Sequence, residues 1–239
     1  MGFSEEEKEA FRSFVKQARR PVILYDDDPD GVTSYAMLAR ALERADAANV
    51  TGIVVKKTPE VNAGFLKKAL SGTPDIIFIL DKPKVADAFI EKVNVPIVWL
   101  DHHEPSTQDK DYELLNYFNP RRENDEDNRP TCHWIYDLVA DESDLWLALL
   151  GIVADWHIPD FMVEAKKRYG ALLPKKWSRV EDLYLDCPLA TLIRVVNFNL
   201  KGDVRETLRG VEAFRKVKEP EEILEQTSDA GAFLWANYK

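Results

Sequence analysis

Cysteine is scarce. Cys132 and Cys187 are the only two among 239 residues and stand far apart, so the chain offers neither a zinc knuckle nor a disulfide framework, and a reducing, cytoplasmic setting is expected. Long apolar runs are missing as well: none approaches the ~20 residues that span a bilayer, and no membrane partner is expected. The opening stretch MGFSEEEKEAFRSF is acidic and amphipathic, unlike a secretory signal. Positive charge is in deficit, with 32 Lys and Arg against 42 Asp and Glu for a net charge of −10. That balance argues against a general nucleic-acid coat, because phosphates want a basic face. It leaves room for an enzyme that handles phosphates through metal ions bound among its acids. Internal repeats and low-complexity tracts are absent. What remains is an ordinary globular composition, 45% hydrophobic and 31% charged, in a chain long enough to bury a proper core.

The first part of the chain alternates two periodicities. Ser4 and Glu7 stand as a capping box ahead of Phe11, Phe14 and Val15. Short apolar runs of strand length follow at 21–25, 51–55, 74–80 and 95–100, separated by helix-like stretches at 32–44, 63–70 and 84–92. Apolar runs without alternation, spaced by helices, predict buried parallel strands. After Asp101 the texture becomes polar, then helical around 131–140 and 143–154, and mostly helical beyond about 160, including 188–200, 203–217 and a pair after Pro220. The expected fold class is α/β: a mostly parallel sheet with flanking helices, followed by a helical segment. Residues 1–160 are assigned to an α/β domain and 161–239 to a helical extension packed on the same domain. Leu183, Leu185, Leu189, Leu192, Ile193, Val196 and Phe198, with Trp99, Trp146 and Trp156, are assigned to the core.

The acids fall where such a sheet would use them. In an open parallel sheet the binding crevice lies at the carboxyl ends of the strands. The strand exits deliver VILYDDDPDGVTS at 22–34, Lys56 and Lys57, then Asp81, then Asp101, His102 and His103. Carboxylates about 4 Å apart repel by roughly 4 kcal/mol in a surface-like dielectric. A cluster of Asp26, Asp27, Asp28 and Asp30 at a strand end therefore implies divalent cations among them. Pro29 would stiffen that loop and Gly31 would permit tight backbone turns beside the metal. Thr33 and Ser34 lead into a helix whose N-terminus favours anions. Oxygen and imidazole donors without cysteine suit manganese or magnesium over a structural zinc.

Taken in order, four segments, YDDDPDGVTS, FILDKP, VWLDHHEP and GIVADW, resemble the four motifs of the DHH phosphoesterase superfamily, over roughly residues 20–160. The segment NYFNPRR resembles the Asn-Pro stretch of its RecJ-like members, archaeal ones in particular. The resemblance implies a metal-dependent phosphodiesterase acting on single-stranded DNA or RNA, or on short oligonucleotides, with two divalent cations about 3.5–4 Å apart. Manganese is the expected ion and magnesium the alternative. Carried over, Asp26, Asp28 and Asp81 would hold the first ion, and Asp30, Asp81, His102 and Asp155 the second, with Asp81 bridging. Asp101 would orient an imidazole, and His103 would reach the scissile phosphate or its leaving group. The family's first motif begins with histidine where this chain has Asp26, which leaves open whether Asp26 or Asp27 takes that place. Complete members also carry a glycine-rich C-terminal substrate-binding domain. With ten glycines and no adjacent pair, this chain implies a missing domain or a protein partner that supplies the grip. The alternatives are a phosphatase for a small nucleotide or pyrophosphate, and a non-catalytic DHH-like replication scaffold.

Other residues carry weaker signals. His157 reads as a spare ligand or a partly buried loop histidine, and His133 as packing or capping. Arg121 and Arg122 are candidates for phosphate contact, with a solvated loop as the competing reading. Lys56 and Lys57 stand at a strand exit, where strand order decides whether they face the site, and Lys166, Lys167, Arg168, Lys175, Lys176 and Arg179 form a basic stretch that could serve as a nucleic-acid approach surface.

Overall fold

The computed structural model describes residues 2–56, 58–105 and 111–239. Lys57 therefore lies outside the described residues. The elements run α1 (Glu5–Gln17), β1 (Pro21–Asp26), α2 (Pro29–Arg44), β2 (Thr51–Val55), β3 (Glu60–Val61), α3 (Leu66–Ala69), β4 (Ile76–Leu80), β5 (Lys84–Val85), α4 (Asp87–Ile90), β6 (Ile97–Leu100) and β7 (Leu115–Phe118). Helices α5 (Thr131–Val139), α6 (Leu145–Ala154), α7 (Met162–Tyr169), α8 (Val180–Leu185), α9 (Pro188–Asn199), α10 (Val204–Lys216), α11 (Glu221–Leu224) and α12 (Asp229–Tyr238) complete the chain. No helix among the described residues is long and apolar enough to cross a membrane.

Five strands form an all-parallel sheet in the order β2-β1-β4-β6-β7. Alternate residues of each strand face opposite layers. Ile23, Tyr25, Phe78, Leu80, Val98 and Leu100 join the core beneath the large helices, whereas Leu24, Ile53, Val55, Ile77, Ile79 and Trp99 pack on the other face. Burial on both faces is why the strands read as unbroken apolar runs. The chain runs outward from β1 to β2 and then returns to lay β4 on the other side of β1. The strand order thus switches between β1 and β4, which opens a crevice beyond their carboxyl ends.

The structure corrects several boundaries. A fifth strand, β7, lies at the sheet edge in the segment read as polar loop. Residues 63–70 and 84–92 give only short helices, and Lys84–Val85 instead pairs with Glu60–Val61 as a two-stranded ribbon. Leu185 and Phe198 are exposed rather than core, and Trp156 is 56% exposed. The helical extension shares the main core: Leu192, Val196, Val211, Phe214 and Leu234 belong to the same apolar cluster as Ile23 and Tyr25. A buried lysine staples the two parts together, with Lys56 Nζ at 3.0 Å from Asp27, 2.5 Å from the Leu200 carbonyl and 3.1 Å from Thr207 Oγ1.

Candidate metal centre

Strand β1 ends at Asp26, and α2 starts almost at once. Asp28 caps it, accepting from the Gly31 amide at 2.8 Å, and Pro29 occupies its first turn. The proline therefore does not stiffen a loop; its missing N–H costs nothing at a helix start. Gly31 serves close approach. A Cβ there would lie 2.7 Å from the Asp26 carbonyl oxygen and 2.8 Å from its nitrogen, so only glycine lets the helix begin against the strand end.

This short connection puts Asp30 in the interior, where the first amides of α5 fix it. Thr131 N–H donates to Oδ2 at 2.9 Å and Cys132 N–H to Oδ1 at 2.7 Å. Asp81 leaves β4 with φ +57°, in the left-handed region, and is 1% exposed. Its Oδ1 accepts from Thr131 Oγ1 at 3.3 Å, while its buried Oδ2 has no hydrogen-bond partner among the described residues. Asp101, fully buried after β6, accepts from the backbone N–H and the Nδ1 of His103 at 3.1 and 2.8 Å. His102 stands among the acids: its Nε2 is 3.5 Å from Asp81 Oδ1, 3.7 Å from Asp30 Oδ2 and 3.9 Å from Asp155 Oδ2. Asp155 arrives from the C-terminal end of α6.

The donors form overlapping groups whose atoms lie within 4.8 Å of one another: Asp30, His102 and Asp155; Asp81, His102 and His103; and Asp26, Asp28 and Asp81. With Asp101 behind His103, the residues singled out from the sequence for metal and catalysis thus meet at one edge. Asp27 is not among these groups and pairs with Lys56 instead.

Electrostatics make the grouping costly without a cation. Burial, then the neighbouring Asp28, pushes Asp30 up to about 7, and burial with Asp30 does the same to Asp155. Asp81 is raised well above the usual carboxylate range by burial and by Asp30, Asp28 and Asp101. Burial lowers His102, which keeps its imidazole neutral and able to ligate; the hydrogen bond to Asp101 raises His103. The hard oxygen donors, the neutral imidazole nitrogen and the orphaned Oδ2 of Asp81 fit a divalent cation, whose charge would let the carboxylates ionise together.

Sequence reasoning did not find Lys82, Thr131 or Cys132. Lys82 is buried, with Nζ at 3.0 Å from Asp26 Oδ1 and 2.8 Å from the Thr58 carbonyl. Cys132 is buried too, its thiol pushed well up by burial and by Asp30. Exposed Trp156, with φ +59°, stacks on Tyr184 at 4.8 Å and 18° directly after Asp155. The remaining candidates are not among these donor groups. His133 is buried beside Trp134, and burial lowers both it and His157. Arg121 donates to the Asp125 carbonyl of its own loop, and Arg122 to the Tyr117 carbonyl in β7. Lys166 lies over the Trp177 ring, and Arg168 bonds the Glu142 carbonyl. A cavity of about 730 Å³ beside α1 and α5, lined by Phe3, Arg129 and Trp134, contains none of the clustered acids.

Known structures share the fold. RecJ from Thermus thermophilus in complex with Mn2+ is similar in fold, with 17% identity and a TM-score of 0.55 over 98% of this chain and 36% of that one. An exonuclease RecJ bound to manganese gives 16%, 0.57, 98% and 63%. The DHH domain of a protein described as a member of a ribosomal-protein family gives 14%, 0.67, 98% and 60%. This chain therefore spans between about a third and two thirds of those proteins. No curated protein matches it. The model of the DHH family, N-terminal domain, matches residues 21–154, more than half of the sequence and nearly all of the acid-lined edge: the chain belongs to the DHH family.

Proposed function

We propose that the chain is a metal-dependent phosphodiesterase that hydrolyses phosphodiester bonds of single-stranded nucleic acid or short oligonucleotides. The observation that carries this reading is the convergence of Asp30, Asp81, His102 and Asp155, with the unpartnered Oδ2 of Asp81, at the switch point of the sheet. Two of the RecJ proteins of the same fold are described as bound to manganese, one of them as an exonuclease.

In this reading Asp30, Asp81, His102 and Asp155 hold one divalent cation, and Asp26, Asp28 and Asp81 a second. Manganese is the first candidate and magnesium the other. Bound cations would supply positive charge against the developing charge on phosphate oxygens and would acidify an attacking water. The protein supplies the rest. Asp101 orients the His103 imidazole through Nδ1, so the other ring nitrogen is available to the scissile phosphate or its leaving oxygen. Backbone amides of α5 hold Asp30 in a fixed pose, so the ligand set is organised before substrate arrives. Trp156 beside Asp155 presents an exposed ring on which a nucleobase can stack, which favours nucleic acid over pyrophosphate. Because the chain spans only part of its relatives, a further domain or a protein partner would complete the grip on substrate.

The test is release of nucleotides from labelled single-stranded DNA and RNA in manganese and in EDTA, with pyrophosphate and dinucleotide controls. Manganese-dependent release from the strands is the expected result. Turnover of pyrophosphate alone would move the chain to the small-phosphatase reading. No turnover of any substrate, with metal bound, would leave a scaffold.

A further inference from the structure

Lys82 is the buried charge that the metal reading does not use. Its side chain is only 2% exposed, and its backbone carbonyl is pinned by the Trp99 indole N–H at 2.8 Å. From that anchor the ammonium reaches Asp26 Oδ1 and the Thr58 carbonyl, at 3.0 and 2.8 Å. Asp26 is one of the three carboxylates of the Asp26–Asp28–Asp81 group. The two candidate cation positions are thus unequal. The ion pairs recorded for Asp30 and Asp155 are with an imidazole, which can ligate. The one recorded for Asp26 is with an ammonium, which has no lone pair to offer and repels a second cation. A neutral side chain at position 26 would leave this buried ammonium without its counter-charge.

We infer that Lys82 is a built-in cation that competes with the divalent ion for Asp26. The chain holds one metal tightly, at Asp30–Asp81–His102–Asp155, and a second, at Asp26–Asp28–Asp81, only weakly. This rests on the reading of the acid groups as metal sites. Occupancy of the weak position, and with it turnover, then follows free metal concentration.

The test is a manganese titration of the full chain, followed by the electron paramagnetic resonance signal of free Mn2+ and by calorimetry. The unmodified protein should show two sites differing at least tenfold in affinity. Lys82→Met should tighten the weaker site at least tenfold and leave the tight one within about threefold, with circular dichroism confirming the native fold. Asp26→Asn, which removes the ammonium's partner, should spare the tight site and abolish the weak one. Two indistinguishable sites in the unmodified protein would overturn the inference while leaving the metal centre standing. So would a folded Lys82→Met with unchanged affinities, or loss of the tight site in Asp26→Asn. No manganese bound at all would overturn both this inference and the proposed function.

Discussion

Asp81 concentrates the site's demands in one side chain: a left-handed backbone, nearly complete burial and an unsatisfied oxygen. Asn tolerates that backbone region and carries no charge. Asp81→Asn should therefore fold and, in EDTA, melt a few degrees higher than the parent, while calorimetry finds manganese lost from both positions. Asp81→Ala should lose the metal too and melt lower than Asp81→Asn, since a left-handed alanine costs about 1–2 kcal/mol. Asp27 offers the contrast. It pairs with Lys56 outside the acid groups, so Asp27→Ala should leave manganese affinity within about twofold. The acids and histidines could be found in the sequence because their residue types are rare in a core and sit at strand exits. Lys82 could not. Nothing local distinguishes a lysine in a turn from one whose ammonium is buried against a carboxylate at the end of a different strand. Trp156 was misplaced for a related reason: large aromatics usually bury, and its exposure follows from the turn that ends α6.

Helix α2 shows how an element can serve a site. It starts so soon after β1 because Asp28 caps it, Pro29 opens it and Gly31 permits contact with Asp26. A methyl at position 31 would press on strand backbone, which cannot swing aside. Gly31→Ala should lower stability by roughly 1–3 kcal/mol in chemical denaturation, as overpacking does, and weaken manganese binding by displacing Asp30. Unchanged affinity would show that the close approach is structural only. Strands β1, β2, β4 and β6 were legible because burial on both faces removes polar alternation. Strand β7 was not: its Asn116 and Tyr117 are only half-buried at an edge, and its pairing with β6 is set by tertiary contact. The β3–β5 ribbon has two residues per strand, too few to leave a period.

At the scale of the molecule, one core ties the sheet to the helices through α12, so denaturant should unfold the chain in a single transition. The acids of the site contribute to its pH dependence with a definite sign. Asp30 and Asp155 are raised to about 7 and Asp26 to about 6 by burial, from 3.8. Between about pH 4 and 7 the native state therefore holds protons that the unfolded chain has released. These acids therefore make stability without metal fall as pH rises through that window, against a smaller opposing contribution from His102, His133 and His157, which burial lowers. His103, raised by its bond to Asp101, adds in the same direction as the acids. For these coupled acids together the loss should be on the order of 2–4 kcal/mol, read as a melting temperature in EDTA that drops by roughly 5–10 °C between about pH 5 and 8. Manganese must displace the same protons, so its affinity should rise over this window. Manganese at about 100 times its dissociation constant should add about 2.7 kcal/mol. A melting temperature that is flat with pH in EDTA and no higher in excess manganese would contradict the assignment.

Cys132 turns this architecture into a clock. Its amide holds Asp30, and its sulfur is packed so closely that a Cβ on Gly151 would come within 2.7 Å of it. A thiol so enclosed, and raised by burial and a carboxylate, presents almost no thiolate to an alkylating reagent. It can react only when α5 and α6 part, so its labelling rate in the folded protein counts openings of the floor beneath the acids. Cys187, only half-buried, labels by its own route and serves as the internal reference. Manganese should slow the first rate by the factor it adds to stability and leave the second nearly unchanged, giving a kinetic record of site occupancy without any substrate.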